Sequence, residues 1–132
     1  METVVAKRGE ESDMEEIKSE EYSVTYDPTT ATVVFQGTLR LYDYASYQPT
    51  ETLLHKALTE AAAVITLDVH QLGFINSSGL DMLFRFAHRA SNRKGTQLVV
   101  RRSKQAAPWQ KKLLATMQMM APSLQVELVD DA

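Results

Sequence analysis

The segment Val64–Leu80 contains the residues of this chain that are best placed to do chemistry. An apolar strand pattern runs into Asp68, and the run Asn76–Gly79 (Asn-Ser-Ser-Gly) then opens a strongly helical stretch. The first backbone N–H groups of a helix lack intrahelical partners and carry positive potential, so a helix start attracts anions. Two serines at such a start are therefore either helix caps or a site that accepts a phosphate group.

The two serines have different expected roles. Asn and Ser are preferred caps worth about 1 kcal/mol, so Asn76, Ser77 and Ser78 fit that structural role without any further function. We expect Ser78 to be the cap and Ser77 to be the more exposed hydroxyl. Ser77 is therefore the candidate phosphorylation site, with Ser78 as the alternative.

Other chemistry finds little support in the sequence. The chain has no cysteine, which excludes disulfides, thiolate metal sites and cysteine nucleophiles. His55, His70 and His88 show no ligand spacing to one another, and neither a Gly-x-Ser-x-Gly elbow nor a glycine-rich phosphate loop occurs. We therefore predict that the protein is not an enzyme and uses no metal or cofactor.

The length and composition fit one soluble domain. The chain has 132 residues, of which 44% are hydrophobic and 23% are charged. No run approaches the roughly 18 apolar residues of a membrane span, and the charged amino terminus does not resemble a signal peptide. We expect a cytoplasmic protein that does not insert into a membrane.

Charge is distributed very unevenly along the chain. Residues 1–81 carry 14 acidic and 5 basic side chains, whereas residues 82–126 carry 9 basic and no acidic ones. Such a region either presents a positive face to a partner or is a solvated surface with charges at helix ends.

The hydrophobic pattern alternates between strands and helices. Residues 1–19 lack apolar periodicity and are interpreted as a flexible acidic extension, which leaves residues 20–132 as the folded domain. The remaining pattern predicts strands near 22–26, 32–36, 64–69, 97–100 and 124–129, and three helices that begin near residues 46, 77 and 108. The order indicates a single α/β domain with a mixed, mostly parallel sheet of about five strands, an N-terminal hairpin and three packed helices.

This order and the serine segment resemble the STAS family, the anti-sigma factor antagonists and related regulatory domains. The matching residues are Gly37–Leu39 at the end of the second strand, Asp68 at the end of the third, and Phe74–Leu80 leading into the next helix. The resemblance spans about residues 22–129. Two positions depart from the family pattern: Asn76 replaces the usual Asp, and Arg40 stands where antagonists often carry Asp.

The resemblance implies a partner switch that acts through phosphorylation. In this family a serine kinase that also serves as an anti-sigma factor phosphorylates the first serine of the motif, which is Ser77 here. The unmodified antagonist binds the kinase, the phosphorylated form releases it, and a metal-dependent phosphatase resets the cycle.

A surface around this segment is predicted to bind the partner. Arg85 and Arg89 form a stripe on the second helix with Met82 and Phe86 beside it, which would make an apolar centre ringed by arginine if these side chains are exposed. The alternative is that Met82 and Phe86 pack against the first helix. The predicted partner-binding residues are Arg40, Tyr42, Tyr44, Asn76, Ser77, Ser78, Gly79, Met82, Arg85, Phe86 and Arg89.

Two other functions remain open on the sequence alone. The chain fits an interaction module of a larger complex in which the serines only cap a helix. It also fits a binder of nucleic acid or another anionic ligand through residues 82–126, although no recognised nucleic-acid motif is present.

Overall fold

The structure is a computed structural model that describes residues 4–8, 14–105 and 107–130. Within them, seven strands form one sheet and three α-helices connect its parallel part. The strands are β1 (Val4–Arg8), β2 (Met14–Lys18), β3 (Tyr22–Asp27), β4 (Thr32–Leu39), β5 (Val64–Ile75), β6 (Gln97–Ser103) and β7 (Gln125–Val129). The helices are α1 (Gln48–Glu60), α2 (Ser77–Ser91) and α3 (Pro108–Met120).

The sheet order follows the chain order from β1 to β7. Strands β1 to β4 pair antiparallel, and β4 to β7 pair parallel. Each parallel pair requires a crossover connection, and α1, α2 and α3 supply the three that are needed. The predicted mixed α/β sheet with an N-terminal hairpin and three helices is confirmed. None of the described helices is long and apolar enough to cross a membrane.

Alternate residues of the strands build the core on the helical face of the sheet. Val24, Phe35, Leu67 and Val100 are each fully buried on neighbouring strands. Strand side chains alternate between faces, so the intervening positions, such as Thr25 and Thr66, lie on the opposite and partly exposed face. The fully buried side chains of these strands therefore lie on the face of the sheet that the helices cover.

The described part of the segment before residue 20 forms two strands, which differs from the expected flexible extension; residues 1–3 and 9–13 of that extension lie outside the described residues. Met14–Lys18 forms β2, paired antiparallel to β3, and β1 pairs with β2 on the outer side. Ile17 is 1% exposed, and Glu15 forms an ion pair with Lys56 of α1. A single buried apolar residue among charges leaves no periodic pattern, which is why β2 was not predicted from the sequence.

Strand β5 is longer than its pattern predicted, because it continues past Asp68 through two irregular steps. Its register against β4 shifts between Val34 and Gln36 and again between Gly37 and Thr38. Such shifts free backbone groups from the ladder. Pairing of β5 with β6 ends at Asp68, and beyond it the Gln110 side chain at the start of α3 donates to the carbonyls of Val69 (2.9 Å) and Leu72 (3.0 Å). These contacts hold the end of β5 in place before α2 begins.

We predict that Ile17→Ala lowers the free energy of unfolding by about 2–4 kcal/mol, because it removes a fully buried side chain. The neighbouring and exposed Lys18→Ala should stay within about 0.5 kcal/mol. Urea denaturation followed by circular dichroism measures both. Equal stability of Ile17→Ala and the parent protein would place β2 outside the cooperative domain.

Candidate functional site

Asn76 is the residue that joins α2 to the end of the sheet. Its side-chain oxygen accepts the backbone N–H of Gly79 (3.0 Å) and the hydroxyl of Tyr47 (2.8 Å). Its amide nitrogen donates to the carbonyl of Leu41 (2.8 Å), and its backbone N–H donates to the carbonyl of Leu39. Asn76 is thus the helix cap, and the expectation that Ser78 caps the helix is wrong.

These bonds give a physical reason for asparagine at a position where the family usually has aspartate. The group facing the Leu41 carbonyl must be a donor, and an ionised carboxylate has none. The oxygen facing Gly79 must be an acceptor, so both ends of the amide are used. An ionised aspartate in place of Asn76 would leave a carboxylate oxygen facing the Leu41 carbonyl oxygen.

Gly79 packs inside the domain. A Cβ atom at this position would lie 2.6 Å from Cγ1 of Ile75 and 2.9 Å from the hydroxyl oxygen of Tyr47. Gly79 is buried, so the close approach it permits is between α2, β5 and Tyr47. The prediction that Gly79 contacts a partner is corrected: its role is to let α2 start against the sheet.

Ser77 is the first residue of α2 and is exposed, whereas Ser78 is half-buried. The first turn of α2 contains no acidic residue, and its N–H groups create positive potential. A phosphate on Ser77 would lie in this potential without displacing the cap, which Asn76 provides. The Ser77 hydroxyl, the predicted acceptor, is therefore open to solvent at the start of α2.

The connection after β4 lies beside the start of α2, as expected for the predicted surface. Leu39 and Leu41 bond to Asn76, which holds the segment against the helix end. Arg40 between them is exposed and pairs with Glu21. Tyr42 is 94% exposed, which is unusual for a large aromatic side chain.

Tyr44 and Arg85 form a cluster with two carboxylates on the same side of the molecule. The Tyr44 hydroxyl donates to Asp81, one turn into α2, and its ring lies 5.0 Å from the Arg85 guanidinium. Arg85 also pairs with Asp81 (3.1 Å) and with Glu51 of α1 (2.6 Å). The cluster joins α1, α2 and the segment after β4, which carries Tyr44, into one surface.

The cluster shifts the pKa values of its members. The hydrogen bond from Tyr44, helped by Arg85, holds the pKa of Asp81 below its ordinary value, against a smaller effect of burial. The same bond raises the pKa of Tyr44. Burial lowers the pKa of Arg85, but its bonds to Glu51 and Asp81 outweigh this and raise it overall.

Met82 and Phe86 do not belong to the exposed surface, which corrects their predicted partner role. Each is only 1% exposed. Helix α2 packs between α1 and α3, so both flanks of its apolar face are covered. The alternative for these two residues, packing against the first helix, requires that they are buried, and both are. Arg89 remains exposed on the outer side of α2.

The basic region is less one-sided in space than in sequence. Arg101 pairs with Asp68 of β5 (3.0 Å) and Glu127 of β7 (2.8 Å), and Lys104 pairs with Asp130 (3.1 Å). These acids come from segments outside residues 82–126. Several of the basic charges are therefore neutralised by folding.

Two residues of the site were missed at the sequence level. Tyr47 is fully buried, and its hydroxyl donates to the side-chain oxygen of Asn76. Glu51 received no role, although it pairs with Arg85. The run of tyrosines Tyr42, Tyr44 and Tyr47 was the available signal for Tyr47, whereas nothing in the sequence indicates the role of Glu51.

Comparison with known proteins identifies the fold. No protein-family model and no curated protein matches the sequence. SiaC of Pseudomonas aeruginosa matches with a TM-score of 0.61 at 12% identity, over 98% of this chain and 99% of that one. A chain in the crystal structure of the diguanylate cyclase SiaD in complex with its activator SiaC, from the same organism, matches with a TM-score of 0.64 at 10% identity, over 86% and 95%.

The chain has a STAS-like fold. Apo-SiaC matches over the full length of both chains, with a TM-score of 0.55 at 11% identity. The STAS-like fold predicted from the sequence is thereby confirmed, and its serine segment lies at the start of α2.

We predict that Asn76→Asp destabilises the protein by about 1–3 kcal/mol at neutral pH, because the Leu41 carbonyl loses its donor. Ser77→Asp is the matched control: it adds the same charge one residue later, keeps the cap, and should stay within about 0.5 kcal/mol. Urea denaturation compares the two. A larger loss for Ser77→Asp than for Asn76→Asp would contradict the assigned cap.

We predict that Tyr44→Phe raises the pKa of Asp81 toward its ordinary value, since the hydroxyl that lowers it is removed. A carboxyl with a lowered folded-state pKa stabilises the fold above its unfolded pKa, and the effect is lost as pH falls through the folded value. The parent should therefore be more stable than Tyr44→Phe at neutral pH. This difference in the free energy of unfolding should disappear as the pH falls through the folded-state pKa of Asp81. Titration of the Asp81 carboxyl carbon by NMR measures the shift, and an unchanged pKa would exclude the bond.

Proposed function

We propose that the chain is a non-catalytic partner-switching regulator that is controlled by phosphorylation of Ser77. In this proposal it binds a serine kinase that also acts as an anti-sigma factor, and it releases that kinase when Ser77 is phosphorylated. A metal-dependent serine phosphatase restores the binding form. All three proteins act in the cytoplasm.

The observation that carries the proposal is the division of roles between Asn76 and Ser77. Asn76 caps α2 with its side-chain oxygen, so the exposed Ser77 hydroxyl has no capping task. Modification of Ser77 therefore leaves the helix start intact. This separation is what a reversible switch on a stable domain needs.

The charge of the phosphate supplies the switching force. A phosphoserine carries about −1.5 to −2 charges at neutral pH. The N-terminal end of α2 tolerates this charge, so the phosphate acts on the partner by repelling nearby acidic groups. The neighbouring exposed residues Arg40, Tyr42 and Tyr44 would share the contact surface.

The structural likeness to SiaC supports a protein as the partner. SiaC is the activator of the diguanylate cyclase SiaD, with which it forms a complex. A signalling enzyme of another kind could therefore take the place of the kinase as the target, with the same switch on Ser77.

The two remaining functions are ranked lower. An interaction module without a switch makes the same surface contacts but gives Ser77 no role. Binding of nucleic acid through residues 82–126 is weakened by the pairing of Arg101 and Lys104 with acids from other segments. Such binding would show a steep salt dependence.

We predict that a serine kinase of the anti-sigma type transfers phosphate from ATP to Ser77. Ser77→Ala should remain unlabelled, because the acceptor hydroxyl is gone, whereas Ser78→Ala should be labelled like the parent. Radiolabel incorporation and intact-mass spectrometry measure the transfer. Equal labelling of Ser77→Ala and the parent would contradict the assignment of Ser77 as the phosphate acceptor.

The interaction module is separated from the switch by the response of the kinase complex to Ser77→Asp. The switch requires weaker binding of this variant than of Ser77→Asn, which is the uncharged control of similar size. Calorimetric titration provides the comparison. Identical affinities would favour the module.

A further inference from the structure

A groove between α2 and α3 has no role in the function proposed so far. It consists of two adjoining cavities of about 300 and 420 Å³, which share Phe84. The first is lined by Phe74, Leu80, Trp109 and Leu113, and the second extends to Met120 at the end of α3. Phe74 is 48% exposed and Met120 is 39% exposed, so the groove leaves apolar side chains open to solvent.

The length of the groove fits a helix. Its α3 wall runs from Trp109 to Met120, which are 12 residues of helix at about 1.5 Å each, or about 18 Å. An amphipathic helix seated in an apolar groove uses anchors at positions i, i+3, i+4 and i+7 of one face, a row of about 10 Å, so the groove is long enough to hold it. Methionine at the end of the groove suits a partner surface because its side chain is flexible and polarisable.

The rim of the groove is cationic. Arg85 and Arg89 line it from α2, and Lys112 lines it from α3. Asp81 is the one acid among the residues that line the two cavities, and Arg85 and Tyr44 already engage it. Arg89 and Lys112 are exposed, so their charges are available to an incoming acidic group.

We propose that this groove binds an amphipathic helix of the partner, which places apolar side chains on Phe84 and Trp109 and acidic side chains against Arg89 and Lys112. The inference rests on the proposed function and specifies its partner. Leu80 lines the groove one turn after Ser77, so a phosphate on Ser77 lies near one end of it. The phosphate then repels the acidic helix, which explains release without refolding.

The probe is a synthetic helical peptide of about 18 residues, with leucines at positions i, i+3, i+4 and i+7 and glutamates on the remaining face. Its twin carries lysine in place of every glutamate. Trp109 is the one tryptophan of the chain, so its fluorescence reports on the groove directly. The glutamate peptide should change this fluorescence saturably, and the lysine peptide should not.

Charge variants test the rim. The double variant Arg89→Glu/Lys112→Glu should weaken the glutamate peptide about tenfold or more, because attraction becomes repulsion at both walls. Lys18→Glu on β2 is the matched control, since it reverses an exposed charge on a strand outside the groove. It should bind like the parent, and circular dichroism should confirm that all variants are folded.

Each remaining outcome decides one of the two proposals. Binding of neither peptide, or equal binding of both, would contradict the proposal that the groove binds an acidic amphipathic helix. A fluorescence change that grows with protein concentration alone would assign the groove to a second copy of the chain and also overturn it. Equal binding of the glutamate peptide to the parent and to Ser77→Asp would support the groove as a binding site. It would contradict the proposal that charge on Ser77 releases the partner.

Discussion

The side-chain amide of Asn76 is the interaction on which the candidate site depends. It ties the end of β5 to the segment after β4 through Leu41, to α2 through Gly79, and to the start of α1 through Tyr47. One group must donate in one direction and accept in two others, which an amide does and an ionised carboxylate does not. With the helix start fixed in this way, Ser77 is free to be modified without cost to the fold.

Folding brings acidic side chains from other parts of the chain next to the basic residues of 82–126. Glu51 reaches Arg85, and Asp68 reaches Arg101, so acids distant in sequence neutralise part of the basic region. The exposed cations that remain near α2 and α3 lie beside apolar side chains. That combination favours a protein partner with an acidic and apolar face over a bare polyanion.

Periodicity was sufficient to predict the helices and strands β3 to β6, because these elements bury one face against a single core. Strand β7 was also predicted from its apolar residues, although none of its five residues is buried. It failed for β2, where Ile17 is the one fully buried residue among charges and produces no repeat. It also left the exposure of Met82 and Phe86 undecided. A helical pattern shows which face is apolar, but only the packing of α1 and α3 determines how wide a face is covered. The bonds of Asn76 to Tyr47 and Leu41 join residues far apart in sequence, so no local pattern indicates them.

The central claim is that phosphorylation of Ser77 changes the surface of a preformed site and leaves the fold unchanged. The most direct test is to compare the backbone amide NMR spectra of the unmodified and Ser77-phosphorylated proteins. The account predicts shifts confined to the start of α2 and the adjoining segment around Arg40–Tyr44. Shifts spread through the buried strands β4 to β6, or a loss of their amide protection, would contradict it.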